Sequence, residues 1–214
     1  MKVLNVMQKK SPIIRYALIA LSGLFLCAVL DIIWQYNRTP TLYGGVIEPP
    51  KAMPGFTLQS SRGDVSLQDF KGKFVVLAFG YTSCPDVCPT VLADIRQAIA
   101  KLEPREAAQI QVIFVSVDYQ RDTPEVVDAY VRNFDPNFLG LSGSQAQINQ
   151  VTSDFGIYYK LNSPDPKTGF YSVDHSAVAL VIDQTGALIM TWPFDMPADK
   201  IGADLRTLVW QAQR

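Results

Sequence analysis

Two cysteines four positions apart carry the first chemical signal in this chain. They stand in Gly80-Tyr81-Thr82-Ser83-Cys84-Pro85-Asp86-Val87-Cys88-Pro89, after an apolar run and before a stretch of helical spacing. The start of a helix has unpaired N–H groups and a partial positive charge, and both favour thiolate over thiol. Cysteines at i and i+4 face one side of a helical turn, where they can close a disulfide or grip one ion. Two buried, inert cysteines are the plain alternative, but the prolines and Asp86 around them argue against it. The third residue is His175, the single histidine of the chain, in Ser172-Val173-Asp174-His175-Ser176. A strand that pairs beside the first strand would bring it over the two thiols. Two thiolates with an imidazole suit copper, as Cu(I) on the sulfurs or Cu(II) with the added nitrogen.

Other chemistries fit less well. Structural zinc takes four Cys/His ligands, and the domain has only these three. Covalent haem attachment needs C-x-x-C-H. A thioredoxin-type redox pair has two intervening residues where this has three. A peroxiredoxin places Thr or Ser three residues before its reactive cysteine, where this chain has Tyr81. Asp118, after the second apolar run, either orients a ligand from outside or caps a turn. Arg121 and Asp122 read as an ion pair holding the same loop.

The elements that must position these residues follow from periodicity. FVVLAFG at 74–80 and QVIFVSV at 111–117 read as buried strands. Between them Val91, Leu92, Ile95, Ile99 and Leu102 recur at helical spacing, with Pro104 after the helix end. Thr123-Pro124 opens a second helix and Ser144 to Gln147 a third, by cap chemistry. AVALVI at 177–182 and ALIMTW at 187–192 flank Asp-Gln-Thr-Gly as a β-hairpin, and 199–213 closes the chain as an amphipathic helix. The polar 156–171 stretch, with Tyr158, Tyr159, Phe170 and Tyr171, reads as a mobile hairpin leading to His175. Its aromatics are a candidate docking surface, half of them expected in the core. Alternation followed by a hairpin predicts an α/β domain, a mixed sheet flanked by helices.

The chain has 214 residues, 48% hydrophobic and 18% charged, with a net charge of −1. That excludes general disorder and carries no nucleic-acid footprint. Three cysteines exclude a disulfide scaffold. Residues 16–30 are uncharged, about 22 Å as a helix, and 16–36 suffices for a span if Asp31 lies at the far interface with Trp34 and Tyr36. Four basic residues precede the run, which predicts a cytoplasmic tail at 1–15, an uncleaved transmembrane anchor at 16–36 and an outward-facing domain. A cleaved signal peptide is the rival, but no good cleavage site follows. Cys27 falls in this segment as a small apolar residue. Residues 37–53, rich in Pro and Gly, read as a linker, and the domain is expected over 54–214.

TSCPDVCP at 82–89, VSVDYQRDTPEVVDAYV at 115–131, FDPNFLGLSG at 134–143 and VDHSAVALVID at 173–183 occur in one order without large gaps. In these the chain resembles the Sco/SenC family of membrane-anchored, thioredoxin-fold copper proteins. The resemblance implies Cys84, Cys88 and His175 as copper ligands. It implies copper delivery to the dinuclear copper centre of cytochrome c oxidase subunit II, thiol reduction there, or both. The implied partners are that subunit and, further, other copper chaperones or thiol–disulfide reductants. The implied location is the bacterial inner membrane facing the periplasm, or the mitochondrial inner membrane in a eukaryote. A metallochaperone is the favoured reading; a thiol–disulfide oxidoreductase or a redox sensor is the alternative.

Overall fold

A computed structural model describes residues 12–37 and 41–213, with side chains for 16–31 and 41–213. The chain divides into two compact units at Thr41 and Leu42. In the first, helix α1 spans Pro12–Asn37. Its described apolar side chains, among them Leu21, Leu24 and Phe25, are exposed, except the half-buried Val29. Among the described residues no helix is long and apolar enough to cross a membrane. Of the expected tail and anchor, residues 1–11 and the side chains of 12–15 and 32–36 lie outside the described residues.

The second unit is built on a six-stranded mixed sheet. Its elements in chain order are β1 (Gly45–Ala52), β2 (Thr57–Ser60), β3 (Gly63–Ser66), β4 (Phe74–Gly80), α2 (Val87–Ile99), α3 (Pro104–Ala107), β5 (Ile110–Ser116), α4 (Pro124–Arg132) and β6 (Leu139–Leu141). There follow α5 (Gln145–Phe155), β7 (Tyr159–Leu161), β8 (Val173–His175), β9 (Val178–Ile182), β10 (Ala187–Pro193) and α6 (Ala198–Ala212). The sheet order is β1-β10-β9-β4-β5-β6, while β2–β3 and β7–β8 are separate hairpins. Strands β4, β5 and β6 run parallel; β9 lies antiparallel on the other side of β4.

Strand β4 is buried at all seven positions, as its unbroken apolar run demands of a central strand. Successive side chains alternate faces. Phe79 meets Phe155 of α5 at 6.2 Å between ring centroids. The Gly80 position instead faces Cys88 of α2 and Phe114. Helices α2 and α5 therefore cover opposite faces of the sheet, and α6 packs against α2. The caps read from sequence form: Thr123 accepts from the Val126 N–H, and Ser144 with Gln147 makes a reciprocal capping box.

Two expectations need correction. Residues 45–52, read as linker, form edge strand β1, paired antiparallel with β10 at Gly45–Thr191, Val46–Met190, Lys51–Leu188 and Ala52–Ala187. The register shifts between Val46 and Lys51, where Pro49 and Pro50 sit. Proline lacks a ladder donor, which an edge strand with such an irregularity tolerates. The compact unit accordingly starts at Leu42, not near Pro54. Asp204, fully buried on α6, holds this end by accepting from the Tyr43 and Gly44 N–H groups at 2.7 and 2.9 Å and from Trp192 Nε1 at 2.9 Å. Pro104 lies beyond the end of α2, as read, and also opens the short helix α3. His175 ends β8, three residues before β9.

Candidate metal centre

Sheet register places the site. Gly80 at the end of β4 pairs with Ser116 at the end of β5, so the cysteine loop and the Asp118 loop leave the same edge. Because β9 is antiparallel to β4, with Ala179 beside Ala78, the chain entering β9 also lies at that edge. His175, three residues before β9, is thereby brought over the thiols.

Sγ of Cys84, Sγ of Cys88 and a ring nitrogen of His175 all lie within 4.8 Å of one another. Cys88 Sγ is 3.4 Å from His175 Nε2. His175 Nδ1 is 3.0 Å from the Ser176 carbonyl oxygen. A carbonyl only accepts, so Nδ1 carries the proton and the Nε2 lone pair faces the sulfurs. A three-coordinate ion with bonds of about 2.3 Å to sulfur and about 2.0 Å to nitrogen holds its ligand atoms about 4 Å apart. The observed spacing fits with small adjustments, and soft sulfur with imidazole is a copper-type donor set.

Both cysteines are free, Cys84 half-buried and Cys88 buried. The Cys88 N–H, in the first turn of α2, lies 3.4 Å from Cys84 Sγ and donates to it. For Cys88 itself the expected preference for thiolate is overturned. Burial, reinforced by the Cys84 sulfur, pushes its thiol well above the ordinary range, outweighing a contact with the Tyr81 backbone. Cys88 Sγ and His175 Nε2 face each other at 3.4 Å, and a bound cation would offset the cost of ionising the buried thiol.

Asp118 is fully buried and lies outside the three-residue cluster. Its carboxylate accepts from Arg121 Nε at 2.5 Å, from the Tyr171 hydroxyl at 2.8 Å, and from the Gln120 and Arg121 N–H groups at 3.3 Å. It is a turn-capping acid that also ties the loop to the hairpin bearing His175. The expected Arg121–Asp122 ion pair does not form. Arg121 pairs with Asp118. Asp122 instead accepts from the Thr82 N–H at 2.8 Å, the Thr82 hydroxyl at 2.6 Å and the Ser116 hydroxyl at 2.5 Å.

Tyr81 is a site residue that the sequence did not single out for this role. Buried, it meets the His175 ring edge to face at 6.0 Å. Burial raises its phenol pKa, the nearby thiols add to that, and the Val173 backbone opposes it. Strands β7 and β8 pair Tyr159 with His175 and Leu161 with Val173, so the histidine is carried on a hairpin. Its aromatics divide as expected: Tyr158 and Phe170 are exposed, Tyr171 is buried and Tyr159 half-buried.

Parallel strands continued by an antiparallel hairpin, with a cysteine pair where β4 runs into α2, define a thioredoxin-like domain. The added histidine gives that pair a third donor, a set of residues able to hold a metal ion. Residues 46–210 match the SCO1/SenC family model, and the chain belongs to that family. An SCO2-like protein of Rickettsia prowazekii is 36% identical over 147 residues, 68% of this chain and 71% of the relative. The solution structure of apo Sco1 from Thermus thermophilus superposes with a TM-score of 0.71 at 39% identity, covering 83% of this chain and 100% of that one. Bradyrhizobium japonicum ScoI, solved with copper bound, gives 0.66 at 34% identity, covering 73% and 99%.

Proposed function

We propose that this chain is a membrane-anchored copper carrier whose cargo is held by Cys84, Cys88 and His175. The carrying observation is the convergence of the three ligand atoms within 4.8 Å, with Nε2 of the lone histidine aimed at the sulfurs. Copper bound in the Bradyrhizobium relative supports the identity of the cargo. The family resemblance supplies the destination, the dinuclear copper centre of cytochrome c oxidase subunit II. Residues 16–36 serve as the anchor, with the domain outside, on the charge asymmetry about that segment. Copper loading displaces the Cys88 proton, and a partner's thiolates take the ion by ligand exchange.

A second reading draws on the unequal exposure of the cysteines. Cys84, the more accessible, attacks a partner disulfide, forming a mixed disulfide and releasing one partner thiolate. Cys88 then attacks Cys84 Sγ, releasing the second partner thiolate and leaving a Cys84–Cys88 disulfide. A dithiol reductant resets it.

Metal analysis of residues 42–214 tests the primary reading. One copper is expected per reduced domain and none held tightly after oxidation of the pair or in the double Cys→Ser variant. Tight stoichiometric copper in the double variant refutes the ligand assignment. His175→Ala separates the readings: it should weaken Cu(II) binding and oxidase assembly while sparing disulfide reduction. Full oxidase activity at low copper with this variant would favour the reductase.

A further inference from the structure

Both halves of the three-ligand site are fastened to one short loop, residues 118–122, by different side chains. On the cysteine side, the buried Asp122 carboxylate takes the Thr82 N–H and hydroxyl, two residues before Cys84. Ser116 also donates to that carboxylate, and Ser142 donates to the Asp122 carbonyl at 2.5 Å. On the histidine side, Arg121 Nη1 donates to the Tyr171 carbonyl at 2.9 Å, four residues before His175. Its guanidinium lies 3.5 Å from the centre of the Tyr171 ring. Asp118 holds Arg121 Nε and the Tyr171 hydroxyl from beneath. The Asp122 N–H donates to the Asp118 carbonyl at 3.0 Å, which closes the loop on itself.

We propose that the 118–122 loop is a bracket that sets the span between the imidazole and the thiols, with Arg121 the positioning residue for His175 and Asp122 the positioning residue for the cysteine loop. Among the described residues, neither touches a ligand atom: Asp122 acts through Thr82, and Arg121 through Tyr171, with its guanidinium also 5.8 Å from the centre of the Tyr81 ring that packs on His175. A planar, forked guanidinium stacked on a ring and bonded to the adjoining carbonyl fixes both distance and tilt, which an ammonium does not. The hairpin tip is otherwise exposed, so its root is where orientation must be imposed. The metal half of the test rests on the ligand assignment above; amide exchange does not.

The bracket predicts a split that general destabilisation does not. In the metal-free domain, Arg121→Met should speed amide exchange at 171–175 and leave the rates at 82–88 unchanged. Asp122→Asn should do the reverse and speed alkylation of the cysteines. With copper, Arg121→Met should weaken Cu(II) by about 10–100-fold, as loss of an outer support does, and reduce the imidazole nitrogen splitting in the Cu(II) spectrum. Cu(I) on the two thiolates should hold. In a His175→Ala background the Arg121 effect should vanish, because the two act through one route. Arg121→Lys, which keeps the charge and loses the fork, should behave as Arg121→Met and serves if the latter folds poorly. Equal acceleration of exchange on both sides by either variant overturns the bracket. So does an Arg121 effect on Cu(II) that persists in full without His175. Failure of the wild-type domain to bind copper would instead sink the ligand assignment, with the exchange pattern still deciding the bracket.

Discussion

Gly80→Ala puts the site's tightest contact to the test. A Cβ at Gly80 would lie 2.5 Å from Cys88 Sγ and 2.8 and 3.0 Å from two ring carbons of Phe114. Ordinary contacts of this kind are about 3.5–4.0 Å. The sulfur must therefore retreat by about 1 Å and the ring must turn, and both side chains are buried. Overpacking of this size costs about 1–3 kcal/mol, or a Tm lower by about 2–12 °C for a domain of this length. The functional effect should be larger than the stability loss suggests. Cys88 Sγ sits only 3.4 Å from His175 Nε2, and displacing a ligand by 1 Å spoils a geometry that must hold within about 0.5 Å. Copper affinity should fall by at least about tenfold, measured by competition with a chromophoric chelator. Ile182→Ala is the control. It opens a cavity costing about 2–5 kcal/mol at a fully buried position beside Val75, five residues and about 16 Å along the strand from Gly80. The reasoning fails if Gly80→Ala melts and binds as the wild type does, or if Ile182→Ala loses as much affinity.

Asp204→Ala should leave the buried Trp192 Nε1 and the part-buried Tyr43 and Gly44 N–H groups without their acceptor. The expected cost is about 3 kcal/mol or more, with new protease cleavage within 42–52; unchanged cleavage there would show that β1 holds without the carboxylate. The Tyr171 phenol is pushed up to about 12, first by burial and then by its bond to Asp118. A folded pKa above the unfolded value of about 10 means this group's stabilisation is intact below pH 10 and is lost as pH rises towards 12. Tyr171→Phe should flatten that part of the Tm-against-pH curve and remove one late phenol from the absorbance titration; an unchanged curve would refute the assignment.

The site was legible in the sequence where its residues are scarce and its strands regular. One histidine and one close cysteine pair leave little choice of ligands. Unbroken apolar runs at 74–80 and 177–182 read as strands, and the pairing that would carry His175 over the thiols is the one observed, β9 against β4. Strand β1 was hidden because its prolines read as linker; only a partner strand that tolerates missing donors makes it a strand. The loop at 118–122 was misread for a different reason. Adjacent residues point apart, so Arg121 and Asp122 serve opposite sides. Asp122 bonds to Thr82, 40 residues away, and Arg121 to Tyr171, 50 residues away. No local pattern announces contacts of that separation. The Asp-x-x-Arg-Asp-Thr-Pro run marked the loop as notable without showing what it held.

The mixed sheet is what lets a dithiol site gain a histidine. On a purely parallel sheet, chain approaching a neighbouring strand arrives at the opposite edge from chain leaving β4. Here β9 runs against β4, so residues before β9 and residues after β4 share one edge. A single histidine just ahead of β9 then completes a set that the cysteine loop begins. The two contributions differ in kind. Cys88 sits in the first turn of a helix packed on the core, with a buried thiol whose proton is hard to remove without a cation. His175 arrives on a two-stranded hairpin outside the main sheet, tied down at its root. The thiols alone suffice for a two-coordinate cargo or for disulfide exchange; the imidazole adds a third bond that depends on the hairpin's position. On the proposed ligand assignment, copper in its two oxidation states would read different parts of this fold, Cu(I) the core-packed pair and Cu(II) the pair together with the hairpin.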